Sequence, residues 1–489
     1  MRQLTSVDAQ FLAAEDGRVH GHVTGVAIYD AASSARGLTA DDLREVIADR
    51  LHLIGPFRRR VVRVPLDLDL PYWVEDPEFD LANHVHAHAV RAPGGDHELA
   101  ELVGRLMSRP LPMDRPPWAV HVIEGLAGGR VAVATQIHHS ASDGLAMAEL
   151  FATLHDPSPE IRDLGDGTPE PEAVPSRLEM LARGVAGIPR QPLRFARSLP
   201  RALPHLDEVV TLRAIPGVPR AAAVSRRASR VLTSRGDGGV LEAPARLAPN
   251  TRTTGRISGE RTVAFVSTPL AEIKAIKNHF GVSVNDVVMT IAAGALRAWL
   301  IAHEDLPGAP LAAMVPVSVR TSEHDGAYGN RITMMIPPLF TDEPDAVTRL
   351  QRTHEAMRSV KERHKAVPAT LLQDANHFIP PVLLARAAQA SALVASSPRR
   401  GAGANVLISN IPGARDAQYL AGARLTAHFP LSAIFHGLGL NITVVSYGDQ
   451  VDWGIVGDPA QVGTVWDLAD QIVAAQAELR ATAAPDRAG

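Results

Sequence analysis

The run Thr135-Gln136-Ile137-His138-His139-Ser140-Ala141-Ser142-Asp143-Gly144 sets two imidazoles, a carboxylate and a glycine close together. A neutral imidazole takes up a proton near neutral pH, so His138 and His139 are both candidates for general-base chemistry. Asp143 is suited to holding the loop geometry, and Gly144 to a close backbone approach. A bland reading competes with this one. Aspartate ahead of a helix is a common N-cap, and a histidine near a strand end is often structural, so the string alone does not decide.

The flanking residues place the string. Val131, Val133, Thr135 and Ile137 alternate as in a strand, and Leu145 to Phe151 follow with helical character. The histidines therefore stand at a strand-to-helix junction, where an α/β scaffold presents catalytic groups. Neighbouring strand residues point opposite ways, so one histidine of the pair faces away from the other or supports it.

The 489-residue chain is long for one core, and two domains are expected. Residues 1–160 read as a mixed α/β unit that ends with the histidine string. Residues 161–250 read as a Pro- and Arg-rich connector, and 251–489 as a second α/β unit. The connector holds twelve arginines between Ser176 and Arg235, interleaved with Leu178, Met180, Leu181, Val185 and Leu193. Such a basic amphipathic stretch suits an anionic lipid surface, or simply a solvated link between domains. In the second unit, strands are expected at 261–266, 314–320, 405–410, 440–447 and 450–456. A long helix is expected after Asn285-Asp286, and a closing helix at 468–482.

Composition excludes several classes. At 46% apolar and 21% charged residues the chain is globular, and a net charge of −4 argues against general nucleic-acid binding. The absence of cysteine removes disulfides, thiolate metal sites and a cysteine nucleophile. The first residues lack the apolar centre of a signal peptide, and the apolar run Val287 to Ala302 is short for a membrane span and carries Arg297. The expected location is cytoplasmic, peripheral on the inner membrane face or on lipid droplets. His84, His86 and His88 alternate and would share a strand face, but no acidic residue completes a hydrolase-type zinc pattern, and no metal is expected. There is no Gly-x-Ser-x-Gly elbow, no phosphate-binding P-loop and no complete dinucleotide fingerprint. His138 and Asp143 also fit a His-x-x-x-x-Asp spacing like that of glycerol-phosphate acyltransferases, so the surrounding blocks must choose.

Those blocks resemble the bacterial wax ester synthase/diacylglycerol acyltransferase family, nearly end to end. Leu4-Thr5-Ser6-Val7-Asp8-Ala9-Gln10-Phe11-Leu12 with Glu15 is similar to its opening signature, as are Phe79-Asp80-Leu81 with His84, and Pro110-Leu111-Pro112-Met113-Asp114-Arg115-Pro116-Pro117-Trp118. Val284-Asn285-Asp286-Val287-Val288, Pro316-Val317-Ser318-Val319-Arg320, Gly329-Asn330 and Ser409-Asn410-Ile411-Pro412-Gly413 follow in the family's order. The chain departs from the pattern at Thr251-Arg252-Thr253-Thr254-Gly255, where an Asn-Gly pair is usual, at Pro116-Pro117-Trp118, and at Ala414.

The resemblance implies an α/β fold of two chloramphenicol-acetyltransferase-like domains, each a mixed sheet flanked by helices, with an active-site channel at their interface. It implies acyl transfer from acyl-CoA, as co-substrate and without a cofactor, to diacylglycerol or a long-chain alcohol. His139 would be the general base with His138 beside it. Asp143 would fix the loop, for instance through Arg320. Asn285 is an oxyanion donor or a helix N-cap with Asp286 adding favourable charge, and Ser409 and Asn410 are site-wall residues. Trp118 is expected in the core. Two alternatives stand beside this. One is a condensation-domain-like transfer from a carrier protein; the other is a paralogue that binds lipid or acyl-CoA with little turnover.

Overall fold

The computed structural model describes residues 1–34, 37–141, 144–165, 167, 175–187, 224, 248–318, 332–365 and 403–483. In chain order the first half contains β1 (Arg2–Gln3), α1 (Ser6–Ala14), β2 (His22–Asp30), α2 (Ala40–Arg50), β3 (Arg59–Val62), β4 (Tyr72–Glu75), β5 (Val85–Ala89), α3 (Asp96–Met107), β6 (Trp118–Glu124), β7 (Arg130–His138), α4 (Gly144–Leu154) and α5 (Arg177–Gly187). The second half contains β8 (Thr262–Pro269), α6 (Leu270–Phe280), α7 (Val284–Ala302), β9 (Leu311–Ser318), β10 (Ile332–Met335), β11 (Pro338–Leu339), α8 (Ala346–Lys365), β12 (Val406–Ile411), β13 (Tyr419–Leu420), β14 (Ala423–Leu431), β15 (Leu440–Tyr447), β16 (Gln450–Gly457) and α9 (Trp466–Thr482).

Local sequence starts these helices where they begin. Thr5 caps α1 and exchanges hydrogen bonds with Asp8, each 3.1 Å, and Ser283 with Asp286 does the same for α7. The aligned apolar residues of β7 and β16 put both strands in sheet interiors. A small antiparallel sheet runs β1-β4-β3, and the two large sheets are mixed. The first runs β13-β14-β2-β7-β6-β5, with β5 parallel to β6 and the other pairs antiparallel. The second runs β10-β9-β12-β15-β16-β8, with β12 parallel to both β9 and β15. The α/β architecture with mixed sheets flanked by helices is the one expected.

The helix α7 is apolar over most of its length, and it is a core element. Val287, Val288, Ile291, Leu296 and Trp299 pack with Ile442, Trp453 and Ile472 in the second core. The basic connector lies outside the described residues except for 161–165, 167, 175–187, Val224 and 248–250.

One strand crosses the expected division at residue 250. β14 comes from the second half of the chain yet pairs with β2 in the first sheet, with Phe429 opposite Val26 and Leu431 opposite Thr24. Residues 419–431 thus complete the first sheet from across that division. The reason is edge satisfaction, because without β14 the backbone groups of β2 along that side would lack partners. The crossing is tight. A Cβ on Gly454 of β16 would lie 2.0 Å from the Pro430 carbonyl oxygen. The backbone N–H of His428 donates to Asp452 Oδ2 at 2.8 Å, and Phe265 stacks on Phe429 with centroids 4.9 Å apart.

Burial is the dominant influence on Asp452 and pushes its carboxyl up to about 6, against the opposing hydrogen bonds from His428 and Ser267. A folded-state value above the unfolded one means that the fold favours the protonated acid. Its contribution is present below about pH 4 and lost as pH rises through 6. Urea unfolding of the protein and of Asp452→Asn between pH 4 and 7 is expected to show their stability difference shifting by about 3 kcal/mol toward the variant as pH rises. A difference independent of pH would show that the carboxylate is at ease where it stands.

Candidate active site

Ile137 points into the core with Trp118 and Val133, and the pleat turns His138 to the opposite face of β7, where it is 0% exposed. The backbone N–H of Ser140 donates to His138 Nδ1 at 3.2 Å, and Ser140 Oγ lies 2.7 Å from the same nitrogen. A backbone N–H only donates, so Nδ1 is the unprotonated nitrogen and the proton belongs on Nε2. Nε2 lies 3.3 Å from Glu15 Oε1, an ion-pair distance rather than an aligned hydrogen bond. The same carboxylate oxygen accepts the Gly21 N–H at 2.8 Å. Burial pushes Glu15 up, but His138 and Gly21 outweigh it and hold the carboxyl below its ordinary range. His138 is thus enclosed and oriented, with no open side for a substrate.

His139 is held differently. Its backbone N–H donates to the Gly21 carbonyl at 2.8 Å, and its half-buried ring stacks on Phe11, with centroids 4.1 Å apart and planes 4° from parallel. Phe11 comes from α1, so the Thr5–Asp8 cap that starts this helix also sets the ring beneath His139. Phe11 in turn approaches Phe435 at 6.5 Å. Next to it, His436 Nδ1 accepts the Ile257 N–H at 3.1 Å, and its Nε2 donates to Asp16 Oδ2 at 2.9 Å. Burial pushes Asp16 up, yet His436 and the N–H groups of Val19 and Arg18 hold it at about 2. The end of α1 is thereby tied to the second half of the chain.

The helix α4 begins at Gly144, and Asp143 lies outside the described residues. The far end of α4 is anchored by a buried ion pair. Arg50 donates to both oxygens of Asp156 at 2.8 and 2.7 Å, and to the carbonyls of Thr153 and Leu154 at 3.1 and 2.7 Å. Asp156 also bridges to Tyr419 by backbone hydrogen bonds of 2.8 and 2.9 Å, which ties α4 to the crossing segment.

In the second half, Asn285 is not the N-cap of α7. Ser283 takes that place and Asp286 closes the capping box, because the helix starts one residue before Asn285. Asp286 is buried and also faces His354 Nδ1 at 2.8 Å. Asn285 is left to meet Asn410 at the end of β12, whose Nδ2 donates to Asn285 Oδ1 at 3.4 Å. Ser409 precedes it, half-buried. Arg320 lies outside the described residues. The structure thus groups His138 and His139 with Glu15 and Phe11, and Asn285 with Asn410.

Other sequence candidates are packing residues. Trp118 is in the core as expected, stacked on Phe57 and His84, with its Nε1 donating to the Phe57 carbonyl at 2.9 Å. His84 donates to the Trp118 carbonyl at 2.9 Å, apart from His86 and His88, which face His121. No three metal-ligating side chains among the described residues form a metal site. Glu15 and Phe11 were visible only as signature positions, because nothing local shows that they reach residues more than 120 positions away.

The matches to known proteins cover the chain nearly end to end. Residues 4–288 match the wax ester synthase/diacylglycerol acyltransferase catalytic domain, and residues 328–480 match the C-terminal domain of the same family. A Mycobacterium tuberculosis protein with the provisional name diacylglycerol O-acyltransferase Rv3087 is 32% identical over 483 residues, covering 99% of this chain and 98% of its own. Its provisionally named relative Rv0221 is 33% identical over 488 residues, covering 99% and 97%. The chain belongs to the wax ester synthase/diacylglycerol acyltransferase family. The solved structure of the wax ester synthase/diacylglycerol acyltransferase from Marinobacter aquaeolei VT8 superposes with a TM-score of 0.65 at 27% identity, covering 98% of this chain and 99% of that one. The first condensation domain of the calcium-dependent antibiotic synthetase shares the fold, with a TM-score of 0.54 at 18% identity over 100% and 98% of the two chains. Membership makes this protein an acyltransferase of a family that acts on acyl-CoA and acceptor lipids.

The seat of His138 is testable. A Cβ on Gly21 would lie 2.6 Å from His138 Nε2, and Gly21 also carries the carbonyl that fixes His139. Gly21→Ala is expected to cost about 1–3 kcal/mol by overpacking and to lower acyl-transfer activity at least ~10-fold in protein that remains folded, since a 1 Å misplacement costs as much. Thermal unfolding beside an activity assay checks both. Full activity in a folded variant would show that the tight seat does not matter for turnover.

Proposed function

We propose that this acyltransferase moves a long-chain acyl group from acyl-CoA to diacylglycerol, giving triacylglycerol, and also accepts long-chain alcohols, giving wax esters. The observation that supports it most is the unequal setting of the two histidines. His138 is enclosed by Glu15, Gly21 and Ser140, whereas His139 is half-buried and held by its backbone and by Phe11.

In this reading His139 takes the proton of the acceptor hydroxyl as its oxygen attacks the thioester carbon. The C–S bond breaks when the tetrahedral intermediate collapses, and the imidazolium returns the proton to the leaving thiolate. Protons balance within the reaction, and acyl-CoA is the co-substrate with no cofactor. His138 is a positioning residue, and Asp143 shapes the loop that follows. Asn285 is the candidate oxyanion donor: its Oδ1 is engaged by Asn410, which leaves its Nδ2 to donate toward a ligand. We place the enzyme in the cytoplasm, peripheral on a membrane or droplet surface from which its lipid acceptors are drawn.

Purified protein given palmitoyl-CoA with diolein or hexadecanol is expected to form ester. His139→Ala should lower kcat by about 10²–10⁴, and Asn285→Ala by about 10²–10³, each with an unchanged circular dichroism spectrum. Saturable acyl-CoA binding without ester from either acceptor would favour a binding paralogue. Turnover of a carrier-bound acyl group alone would favour the condensation-type reaction.

A further inference from the structure

The turn Pro65–Asp67 and the helix α5 form one surface. A Cβ on Gly184 of α5 would lie 2.8 Å from Val64 Cγ1 and 3.0 Å from Leu68 Cβ, so the helix is pressed onto the two ends of the turn, with Met180 buried beneath. The outer side of this surface is apolar. Leu178 is 76% exposed and Val185 52%, and with the exposed Ala182 and Ala186 they follow helical spacing along one stripe. Leu66, in the turn on which α5 packs, is 77% exposed, among the most exposed large apolar residues described.

Leu66 carries a second, independent sign. Its backbone sits at φ 60° and ψ 16°, and Asp67 follows at φ 50°. The left-handed region costs a non-glycine residue about 1 kcal/mol or more, and glycine would take the position freely. A leucine with its side chain in solvent gains nothing from the fold to offset that strain. The position is explained if the side chain is buried in something other than the described residues.

Charge selects the occupant. Arg63, Arg177 and Arg183 are exposed around the apolar stripe, and the Met1 ammonium lies within the field of Arg183. Against them stand Asp67 and Glu179, and Glu179 is already engaged by the Ser176 cap of α5. Isolated apolar side chains ringed by arginine suit insertion among acyl chains beneath anionic headgroups.

We infer that the surface built from Leu66, Leu178 and Val185, rimmed by Arg63, Arg177 and Arg183, is the face that seats this protein on an anionic lipid surface. The inference rests on the proposed function only in that lipid acceptors reside in such a phase; binding itself needs no turnover. It locates attachment on a folded helix and a strained turn, at the start of the basic connector.

The test is sedimentation with vesicles of phosphatidylcholine and phosphatidylglycerol in equal parts, beside pure phosphatidylcholine, at low and high salt. The protein is expected to favour the anionic vesicles and to be released by salt. Leu66→Gly should weaken partitioning about tenfold while the unfolding temperature holds or rises, because glycine relieves the strain. Leu178→Ser should weaken it similarly with an unchanged circular dichroism spectrum. Four results would overturn the inference: wild-type protein that ignores both vesicle types, variants that bind as tightly as wild type, a lowered unfolding temperature in Leu66→Gly, or a concentration-dependent dimer abolished by the same variants. Vesicle binding through this face without ester formation would uphold the inference and sink the proposed function.

Discussion

The architecture depends on one backbone pairing, that of β14 with β2. β2 lies between β14 and β7 in the first sheet, and its edge would otherwise be open. By filling that edge with a strand from the second half, the chain makes the position of His138 and His139 conditional on the packing of both halves. The pairing is reinforced where Pro430 lies over Gly454 and where His428 donates to Asp452. The same crossing segment meets Asp156 through Tyr419, so it also fixes the end of α4. Long-range closure of this kind costs chain entropy during folding and gives rigidity afterwards.

The site shows how period-two geometry separates two identical side chains. Adjacent residues on a strand cannot share a face, so a His-His pair at a strand end gives one enclosed ring, His138, and one on the other side, His139, stacked on Phe11. Burial alone would leave an imidazole neutral but undirected. In His138 the Ser140 N–H donates to Nδ1 and the Glu15 carboxylate stands 3.3 Å from Nε2, so orientation comes from one local hydrogen bond and one carboxylate brought from α1. Elsewhere burial is the main cause of neutral histidines: His22 is held down to about 3 and His121 to about 4.

Much of the first signature proves to be structural chemistry. Thr5 and Asp8 start a helix, Phe11 supports His139, and Glu15 faces His138. Asp80 caps the short turn that leads to His84, and His84 with Trp118 forms a stacked core beside β6. These residues were legible as a pattern, but their roles were not, because a pattern records identity and spacing while a role depends on which distant group a side chain meets. Asn285 illustrates the difference. Its type and place before an apolar helix fit an N-cap, yet Ser283 performs that role two residues earlier, and Asn285 turns to Asn410.

By itself the sequence determined the α/β class, the junction that carries His138 and His139, a long helix near Asn285-Asp286 and five of the second-half strands. These follow from short-range rules: alternation, helical period, capping and turn residues act over a few neighbours and are written locally. The tertiary structure alone decided that residues 423–431 belong to the first sheet, that Glu15 and Phe11 flank the two histidines, and that Arg50 closes the end of α4. Nothing in a strand's own residues names the edge it will fill or the ring it will touch. Those choices are made by the packing of the whole chain, where every buried polar group must find a partner and every close approach must find room.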